Sequence, residues 1–366
     1  MATTVAQELM SAADGVVRRE LARPGVRSAA RGAGWSKDLW AATAAAGWAD
    51  VLLAEEHGGL GLGLDAAAEL FSVIGRNLVP GPYADLVVTV PLIYPHAPAA
   101  VRSRLDAARA GAEIVLLVDP AATGAASGIM EFAGGALTGT AGLVRHAPVA
   151  DGFLVPVHDP ASGSALAYVG ASDPRVTVRP GESFDFASPV AHVSFDHVTV
   201  APQHLVPATG ELTVSGLRAR LRLVIAAELA GLARHLLDAS VSYAKLREQF
   251  GKPIGSFQAV QQILAEMAVQ LMGTEALTAE LAQGGDAGLA EAIMAKGLAS
   301  EIARTIGEAA LQVHGGIAFT EEFEDNRWYL HILTLHGLYG DHADCYRVTG
   351  DALLTQEFPI QREARF

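Results

Sequence analysis

Hydrophobic residues recur at helical spacing in the first and last thirds of the chain and at strand spacing in the middle. Within Asp286–Val313, the apolar residues Met294, Leu298 and Ile302 follow one another every four positions, as on the buried stripe of an amphipathic helix. Within Ala191–Asp196, apolar and polar residues alternate instead, which is the period of a half-buried strand. The pattern therefore predicts a helical region, then strands, then helices again.

The predicted elements fall into three zones. Helices are predicted over Lys37–Gly47, Leu64–Gly75, Ala84–Tyr94, Arg102–Ala110, Leu217–Arg247, Ser256–Gly284 with Ser256 as its N-cap, and Asp286–Val313, with two shorter helices after Glu321. Valine-rich strands are predicted over Glu113–Val118, Gly152–Val157, Ala165–Val169, Val176–Val178 and Val190–Val200. The fold class is therefore mainly α with a central β domain. We expect an N-terminal helical domain at 1–110, a small barrel or sandwich at 111–206 and a four-helix bundle at 207–366.

The composition argues against a membrane-spanning protein. The chain is 51% hydrophobic with a mean hydropathy of +0.28, but much of that count is alanine. No apolar run reaches the roughly 20 residues that a spanning helix needs. Acidic and basic residues mix early, from Glu8 to Arg19, so no secretory signal is expected. We expect a cytoplasmic protein without a membrane span.

The net charge and the cysteine content argue against further kinds of ligand and site. The net charge of −14 disfavours nucleic acid, whose partners present a basic surface. Cys345 is the only cysteine, which excludes disulfides and cysteine-based metal sites within one chain. His331, His336 and His342 are five and six residues apart, a spacing that does not place them on one helical face. We therefore expect no metal site and interpret these histidines as surface or packed residues.

One segment stands out for its chemistry. Residues 243–258 read YAKLREQFGKPIGSFQ, which predicts the end of one helix, a Gly/Pro turn and the start of the next. Arg247 lies in the last helical turn, where the helix dipole favours a cation and where a guanidinium can fork onto phosphate oxygens. Phe250 offers a flat face to a ring. The alternative interpretation is a solvated arginine and a packed phenylalanine at a bundle corner.

A second segment has the same character. Residues 312–321 read QVHGGIAFTE, so a helix ends at the pair Gly315 and Gly316, which permits positive φ and close backbone approach. Gln312 can hydrogen-bond a sugar or a diphosphate. Seen alone, the glycine pair is equally consistent with an ordinary helix C-cap.

Together these two segments resemble the acyl-CoA dehydrogenase family. Residues 47–49 (GWA) and 55–62 (EEHGGLGL) are similar to the family's N-terminal Gly-Trp and Pro-Glu-Glu-x-Gly-Gly-x-Gly segments, so the resemblance covers nearly the whole chain. It implies the same helix–strand–helix order, with the chains assembled as a tetramer. It also implies FAD at a subunit interface, its diphosphate and adenosine end held by a neighbour's Arg-x-x-Phe and Gln-x-x-x-Gly segments. Those positions are here Arg247, Phe250, Gln312 and Gly316, with Gly315 beside them.

The chain departs from the family where the flavin ring is held. Members carry a Thr-Glu-Pro-x-x-Gly-Ser-Asp segment that touches the flavin and the acyl chain, and the corresponding stretch here, residues 117–128, keeps only fragments. A Trp-Ile-Ser/Thr segment that lines the isoalloxazine matches residues 142–147, which contain no tryptophan. The resemblance therefore implies an eroded flavin-ring site.

The catalytic base is the second departure. The family's reaction removes an α-proton as a hydride leaves the β-carbon, so a carboxylate must reach the α-carbon. Where most members have that glutamate, the chain has Gly340, followed by Asp341; where some members place it on the first bundle helix, the chain has Leu221, with Glu228 two turns further. Three interpretations stay open: Asp341 as base, Glu228 as base, or no base in this chain.

These features favour a subunit of a heteromeric α₂β₂ acyl-CoA dehydrogenase, in which a homologous partner supplies the flavin-ring site and the catalytic glutamate. Such split enzymes are similar to those acting on bulky acyl-CoA esters such as steroid side chains, and the family implies an electron-transfer flavoprotein as acceptor. The alternatives are a homotetramer that uses Asp341 and a non-catalytic scaffold that kept the fold.

Overall fold

The computed structural model describes residues 2–122, 130–159, 163–208, 210, 212–283, 288–320 and 323–355. Its elements follow the predicted order of helices, strands and helices, which confirms the predicted fold class. Helices extend to Arg109, strands run from Val115 to Pro207, and helices resume at Val214. Within this part of the chain, no helix combines the length and the apolar character needed to cross a membrane.

The N-terminal region packs its helices around a core of aromatic residues. It comprises α1 (Ala2–Leu21), α2 (Pro24–Ala33), α3 (Lys37–Ala45), α4 (Leu64–Arg76), a π-helical turn (Asp85–Thr89) continuing into α5 (Val90–Ile93), and α6 (Ala99–Arg109). The Ser36 hydroxyl caps α3 by accepting from the Leu39 N–H. Trp40, Trp48 and Tyr83 are buried together, with ring centroids 5.6 and 5.1 Å from Tyr83. The helix predicted over Ala84–Tyr94 is observed as the π-helical turn followed by α5.

The middle region is a sandwich of two four-stranded sheets. The strands are β1 (Val115–Leu117), β2 (Glu131–Ala133), β3 (Ala136–Arg145), β4 (Gly152–Asp159), β5 (Gly163–Gly170), β6 (Val176–Pro180), β7 (Val190–Thr199) and β8 (Leu205–Pro207). One sheet has the order β1-β4-β5-β8 and the other β2-β3-β7-β6. Phe153 and Phe195, from opposite sheets, meet edge to face in the core with centroids 6.1 Å apart.

The C-terminal region is the predicted helical bundle. It contains α7 (Val214–Leu246), α8 (Gln258–Gln283), α9 (Leu289–His314), α10 (Asn326–Gly337) and α11 (His342–Leu354). A short hairpin, β9 (Glu248–Gln249) and β10 (Lys252–Pro253), joins α7 to α8. The predicted cap at Ser256 is wrong, because Ser256 lies in a 3₁₀ turn and its hydroxyl donates to the Pro253 carbonyl at 2.7 Å.

Helices α4 and α7 touch backbone to backbone at two glycines. A Cβ on Gly75 would lie 2.2 Å from the Glu228 carbonyl oxygen, and a Cβ on Gly231 would lie 2.2 Å from the Ser72 carbonyl oxygen. Any larger residue at either place would force the helices apart. This contact holds the N-terminal region against the bundle and sets one wall of the cleft described next.

Candidate cofactor and substrate site

A small cleft lies where the N-terminal region, the sandwich and the bundle meet. Its walls come from α4 and the π-helical turn, the end of β1, the end of β3, the first half of α7 and the loop after α10. The cavity has a volume of about 80 Å³, whereas pockets for small-molecule ligands usually enclose roughly 300–1,000 Å³. The cleft that the described residues enclose is therefore smaller than a usual ligand site.

A buried ion pair lies beside this cleft, with Asp119 in its wall. Asp119 follows β1, and both of its oxygens accept from the Arg218 guanidinium of α7, with Nε–Oδ2 and Nη2–Oδ1 distances of 2.7 Å each. The Asp119 side chain is fully buried, and one of its oxygens also accepts from the Ala121 N–H. Asp119 belongs to the stretch 117–128 that the resemblance assigned to flavin and acyl contacts. Of that stretch, the part from residue 123 onward lies outside the described residues.

The loop after α10 is held by hydrogen bonds to its backbone N–H and carbonyl groups. The Tyr339 N–H donates to the Ala122 carbonyl at 2.7 Å, and the Arg222 guanidinium donates to the Tyr339 carbonyl at 3.3–3.4 Å. The buried ammonium of Lys296 donates to the His336 and Gly340 carbonyls at 2.8 and 2.7 Å. Burial lowers the pKa of Lys296 to about 8. These contacts pin the segment where the family's catalytic glutamate was expected, and Gly340 there has no side chain to serve as a base.

Asp341, the predicted catalytic base, acts as the N-cap of α11. Its Oδ1 accepts from the Asp344 N–H at 2.8 Å. That hydrogen bond stabilises the carboxylate and lowers the pKa of Asp341 below its ordinary value. Asp341 is not among the described residues that line the cleft. The structure thus gives Asp341 a helix-capping contact and does not bring it to the cavity.

Glu228, the other candidate base, reaches the cleft but is engaged in a buried network. Its Oε1 lies 3.1 Å from Nε2 of His331, whose Nδ1 lies 2.7 Å from Oδ2 of Asp185. All three side chains are buried. Burial opposes a charge on His331, but the two carboxylates outweigh it and raise the pKa of His331 to about 9. The Glu228 carboxylate is therefore engaged by His331 within a buried network.

Other polar groups of the cleft were not predicted from the sequence. The Asp85 carboxylate accepts from the Leu117 N–H at 2.8 Å, and burial raises the pKa of Asp85 to about 6. Both ring nitrogens of His146 and the Tyr83 hydroxyl are buried without a hydrogen-bond partner among the described residues, and burial lowers the pKa of His146 well below its ordinary value. Only the meeting of distant segments brings these groups together, although His146 lies in the stretch 142–147 that the resemblance matched to a flavin-lining segment.

The residues predicted to bind the cofactor lie on a different surface. Arg247 terminates α7 and is exposed, and no ion pair joins its guanidinium to any residue the structure describes. Phe250 is 92% exposed at the tip of the β9–β10 hairpin with a φ of 55°. Both side chains are therefore accessible on the surface of the protomer.

The second predicted segment lies at the same end of the bundle. Gln312, Gly315 and Gly316 lie at the end of α9, and the rings of Tyr243 and His314 pack 4.5 Å apart, which joins the end of α9 to the end of α7. A Cβ on Gly316 would meet nothing within 4 Å among the described residues, and its φ is not positive. The chain's own fold therefore does not require glycine at 316. We name these five predicted residues (Arg247, Phe250, Gln312, Gly315 and Gly316) the bundle-end surface.

Comparison with known proteins identifies the family of the chain. The model of the acyl-CoA dehydrogenase C-terminal domain matches residues 214–342. Acyl-CoA dehydrogenase FadE34 of Mycobacterium tuberculosis is 32% identical over 365 residues, which is 93% of this chain and 47% of FadE34. The chain belongs to the acyl-CoA dehydrogenase family. It spans about half the length of FadE34 and of a probable short/branched chain specific acyl-CoA dehydrogenase from Dictyostelium discoideum, the latter 32% identical over 206 residues and 53% of this chain.

Solved structures of acyl-CoA dehydrogenases superpose on nearly the whole chain. A structure described as a variant of the Tcur3481-Tcur3483 steroid ACAD has a TM-score of 0.86 and 26% identity, and covers 98% of this chain and 99% of its own. The ChsE4-ChsE5 complex from Mycobacterium tuberculosis has a TM-score of 0.85 and 25% identity, with 95% and 97% covered. Both comparisons support the family assignment, and both structures are described as pairs of named proteins.

Proposed function

We propose that this chain is the cofactor-sharing subunit of a heteromeric acyl-CoA dehydrogenase. A homologous partner supplies the flavin-ring site and the catalytic glutamate, and this chain lends its bundle-end surface to the FAD of that partner. The observation that carries the proposal is a contrast within one chain. The residues of the bundle-end surface are accessible, whereas the cleft that should hold ring and substrate encloses only about 80 Å³ and has Asp119, paired with Arg218, in its wall.

The bundle-end residues fit the diphosphate and adenosine end of FAD. The exposed guanidinium of Arg247 suits a pair of phosphate oxygens, and the exposed ring of Phe250 suits a flat base. The backbone at Gly315 and Gly316 is open to close approach. The chain's own cleft does not fit the flavin ring, because its volume is about 80 Å³ and the matching segment has no tryptophan. We therefore draw no catalytic step through the cleft of this chain.

The proposed reaction is α,β-dehydrogenation of an acyl-CoA thioester, for which bound FAD supplies the hydride acceptor. The residues of this chain act in it by binding and orienting. Arg247 and Gln312 anchor the cofactor across the subunit boundary, so that its ring lies in the partner's site. In this chain Leu221 and Gly340 occupy the places of the base, and Asp341 caps α11. The proton is therefore removed by the partner's carboxylate.

The substrate class and the remaining partners are proposed from the relatives. A structural neighbour at 26% identity is described as a steroid ACAD, which supports a bulky or steroid-derived acyl-CoA ester. The family resemblance supports an electron-transfer flavoprotein as acceptor and a cytoplasmic location. The runner-up is a homotetramer that uses Asp341 as its base, and the third candidate is a non-catalytic scaffold. The contact of Asp341 with Asp344 favours the heteromer over the homotetramer.

The decisive experiment counts flavin per chain. The chain is purified alone and together with a homologue encoded beside it, and bound FAD is measured by absorbance against protein. We expect little flavin on the chain alone and fewer than one FAD per chain in the heteromer. One flavin per chain, together with turnover by this chain alone, would reject the proposal. Absence of both flavin and CoA-ester binding in every assembly would favour the scaffold.

A matched pair of variants connects the flavin to the bundle-end surface. Arg247→Gln should remove most FAD from the heteromer and leave the thermal midpoint of the isolated chain unchanged, because Arg247 has no ion-pair partner within the described part of the chain. Arg179→Gln is the control, since Arg179 is an exposed arginine of β6 on the sandwich. It should leave the flavin content unchanged. Equal flavin contents in the two variants would count against the assigned role of Arg247.

A further inference from the structure

A second, larger cavity has its own lining, although its Pro80 directly precedes Gly81 of the cleft. It is enclosed by α1, α2, the end of α4, the middle of α7 and the start of α10. Its volume is about 480 Å³, well within the range of small-molecule sites. We name it the arginine pocket, after Arg76 and Arg327 in its wall. Among the described residues, neither the cleft nor the bundle-end surface shares a lining residue with it.

The charge of the pocket is opposite to that of the chain. Its described lining carries five arginines against the two acids Glu324 and Asp325, whereas the whole chain has a net charge of −14. Three of the arginines are paired. Arg18 binds Asp14 at 2.7 Å, while Arg27 and Arg31 reach Glu324 at 3.7 and 2.7 Å. A cationic cavity on an acidic surface attracts an anion.

The remaining two arginines form no ion pair with any residue in the described ranges. The carbonyl of Arg76, at the end of α4, accepts from Nε1 of Trp328 at 3.1 Å, which ties that end of α4 to α10. The guanidinium of Arg327 lies 5.7 Å from the ring centre of Phe186. Two such guanidinium groups in one concave wall provide the donors that a phosphate requires.

Aromatic rings form one side of the pocket, next to Arg327. The rings of His235 and Trp328 stack with centroids 3.9 Å apart and an interplanar angle of 8°. His235 is fixed in that orientation by Asp325, at 2.8 Å from its Nε2. Leu78, Pro80 and Phe186 complete this side. A planar ring system is the ligand that such a wall accommodates.

We propose that the arginine pocket binds a nucleoside phosphate, with its phosphate on Arg76 and Arg327 and its base against the wall of Phe186 and Trp328. The ligand is a free nucleotide or the nucleotide end of coenzyme A, which share this chemistry. The proposal goes beyond the heteromer, because every residue that it uses belongs to this chain and none belongs to the bundle-end surface.

The test is calorimetric titration of the full-length chain with ADP, with coenzyme A and with inorganic phosphate. We expect saturable one-to-one binding of ADP or coenzyme A and much weaker binding of phosphate. Arg76→Gln combined with Arg327→Gln should weaken nucleotide binding by about tenfold or more, because charge-assisted hydrogen bonds are lost. Arg179→Gln should leave it unchanged. Preference for coenzyme A over ADP, or the reverse, identifies the source.

Two outcomes overturn the proposal. Loss of nucleotide binding in Arg247→Gln, with retention in the double variant, would move the ligand to the bundle-end surface. Binding of inorganic phosphate as tight as that of ADP would leave no role for the flat wall. Trp328→Leu separates the two contributions, since it should weaken ADP binding and leave phosphate binding as it was. Thermal melting of each variant shows whether it is folded, and the double variant should melt like the wild type because neither arginine has an ion-pair partner among the described residues.

Discussion

Arg218 and Asp119 join the start of α7 to the end of β1 through two parallel hydrogen bonds of 2.7 Å. The two residues lie 99 positions apart in sequence, and Asp119 belongs to the stretch that the family resemblance assigns to flavin and acyl contacts. In this chain its carboxylate is buried against a guanidinium. The pair therefore joins the sandwich to the bundle beside the cleft.

Removing one partner of this pair should destabilise the fold. In Asp119→Ala, the partly buried Arg218 loses its counter-charge, and we expect the free energy of unfolding to fall by about 2–3 kcal/mol. This loss is smaller than that for a fully buried pair, because the Arg218 side chain is 28% exposed. Urea unfolding measures it. Arg304→Gln, which breaks an exposed i,i+4 pair with Glu308, should change stability by less than about 0.5 kcal/mol.

A double variant tests whether the charges of the pair or the packing of the two side chains stabilise the fold. Asp119→Leu with Arg218→Met replaces both charges by apolar side chains of similar size, and it should recover most of the lost stability. If Asp119→Ala lowers the free energy of unfolding by no more than Arg304→Gln does, the ion pair does not stabilise the fold.

The buried network around His331 makes stability depend on pH. The pKa of His331 is raised to about 9 from an unfolded value of 6.5, so its contribution is complete below pH 6.5 and is lost as the pH rises through about 9. We expect it to amount to about 3 kcal/mol. Lys296 acts in the opposite direction, because burial lowers its pKa to about 8. The informative quantity is therefore the difference between wild type and His331→Gln.

That difference should be large at pH 6 and should shrink towards pH 10, as measured by urea unfolding across the range. His197→Gln is the control, since His197 is an exposed histidine paired with Asp196 on the surface. Its difference from wild type should be small at every pH. A constant difference for His331→Gln would mean that this imidazole does not carry the charge in the folded protein.

Asp341 separates the heteromer from the homotetramer. Asparagine caps helices as well as aspartate does, so Asp341→Asn should keep the stability of the chain, whereas Asp341→Ala should lower it by about 1 kcal/mol. If Asp341 only caps α11, Asp341→Asn in the heteromer should leave turnover of a CoA ester unchanged. Abolished turnover with intact FAD absorbance would instead support Asp341 as the base.

Gly316 offers a test of close approach at the bundle-end surface. Gly316→Ala meets open space among the described residues of the protomer, so the thermal midpoint of the isolated chain should not fall. In the heteromer, the added methyl group should lower FAD content, because it occupies the space through which the cofactor approaches the backbone. Gly350→Ala, an equally open glycine on α11, should leave FAD content unchanged. Identical flavin contents would remove the steric argument.

The long elements could be predicted because their hydrophobic period extends over many turns. The helix expected at Leu217–Arg247 is observed at Val214–Leu246, and the one expected at Asp286–Val313 at Leu289–His314. The strands β2 and β8, three residues each, offer too few positions for a period. Strand β3 was missed as well, because its register shifts interrupt the alternation.

The candidate site also has one part that the sequence could predict and another that it could not. The bundle-end residues lie in two contiguous segments, so motif spacing was enough to identify them. The cleft depends on partners that only the tertiary fold brings together. Asp185 and His331 are 146 residues apart, and Glu228 and His331 are 103 apart. No local pattern records such pairs, which is why Glu228 was a candidate base until its contact with His331 was seen.

The glycine contacts between α4 and α7 decide which side of the cleft can yield. At Gly75 and Gly231 the two helices already lie at the closest distance that their backbones allow, and no side chain there can rotate to create slack. We therefore expect a ligand entering the cleft to displace the sandwich edge or the loop at Tyr339 more readily than it separates α4 from α7.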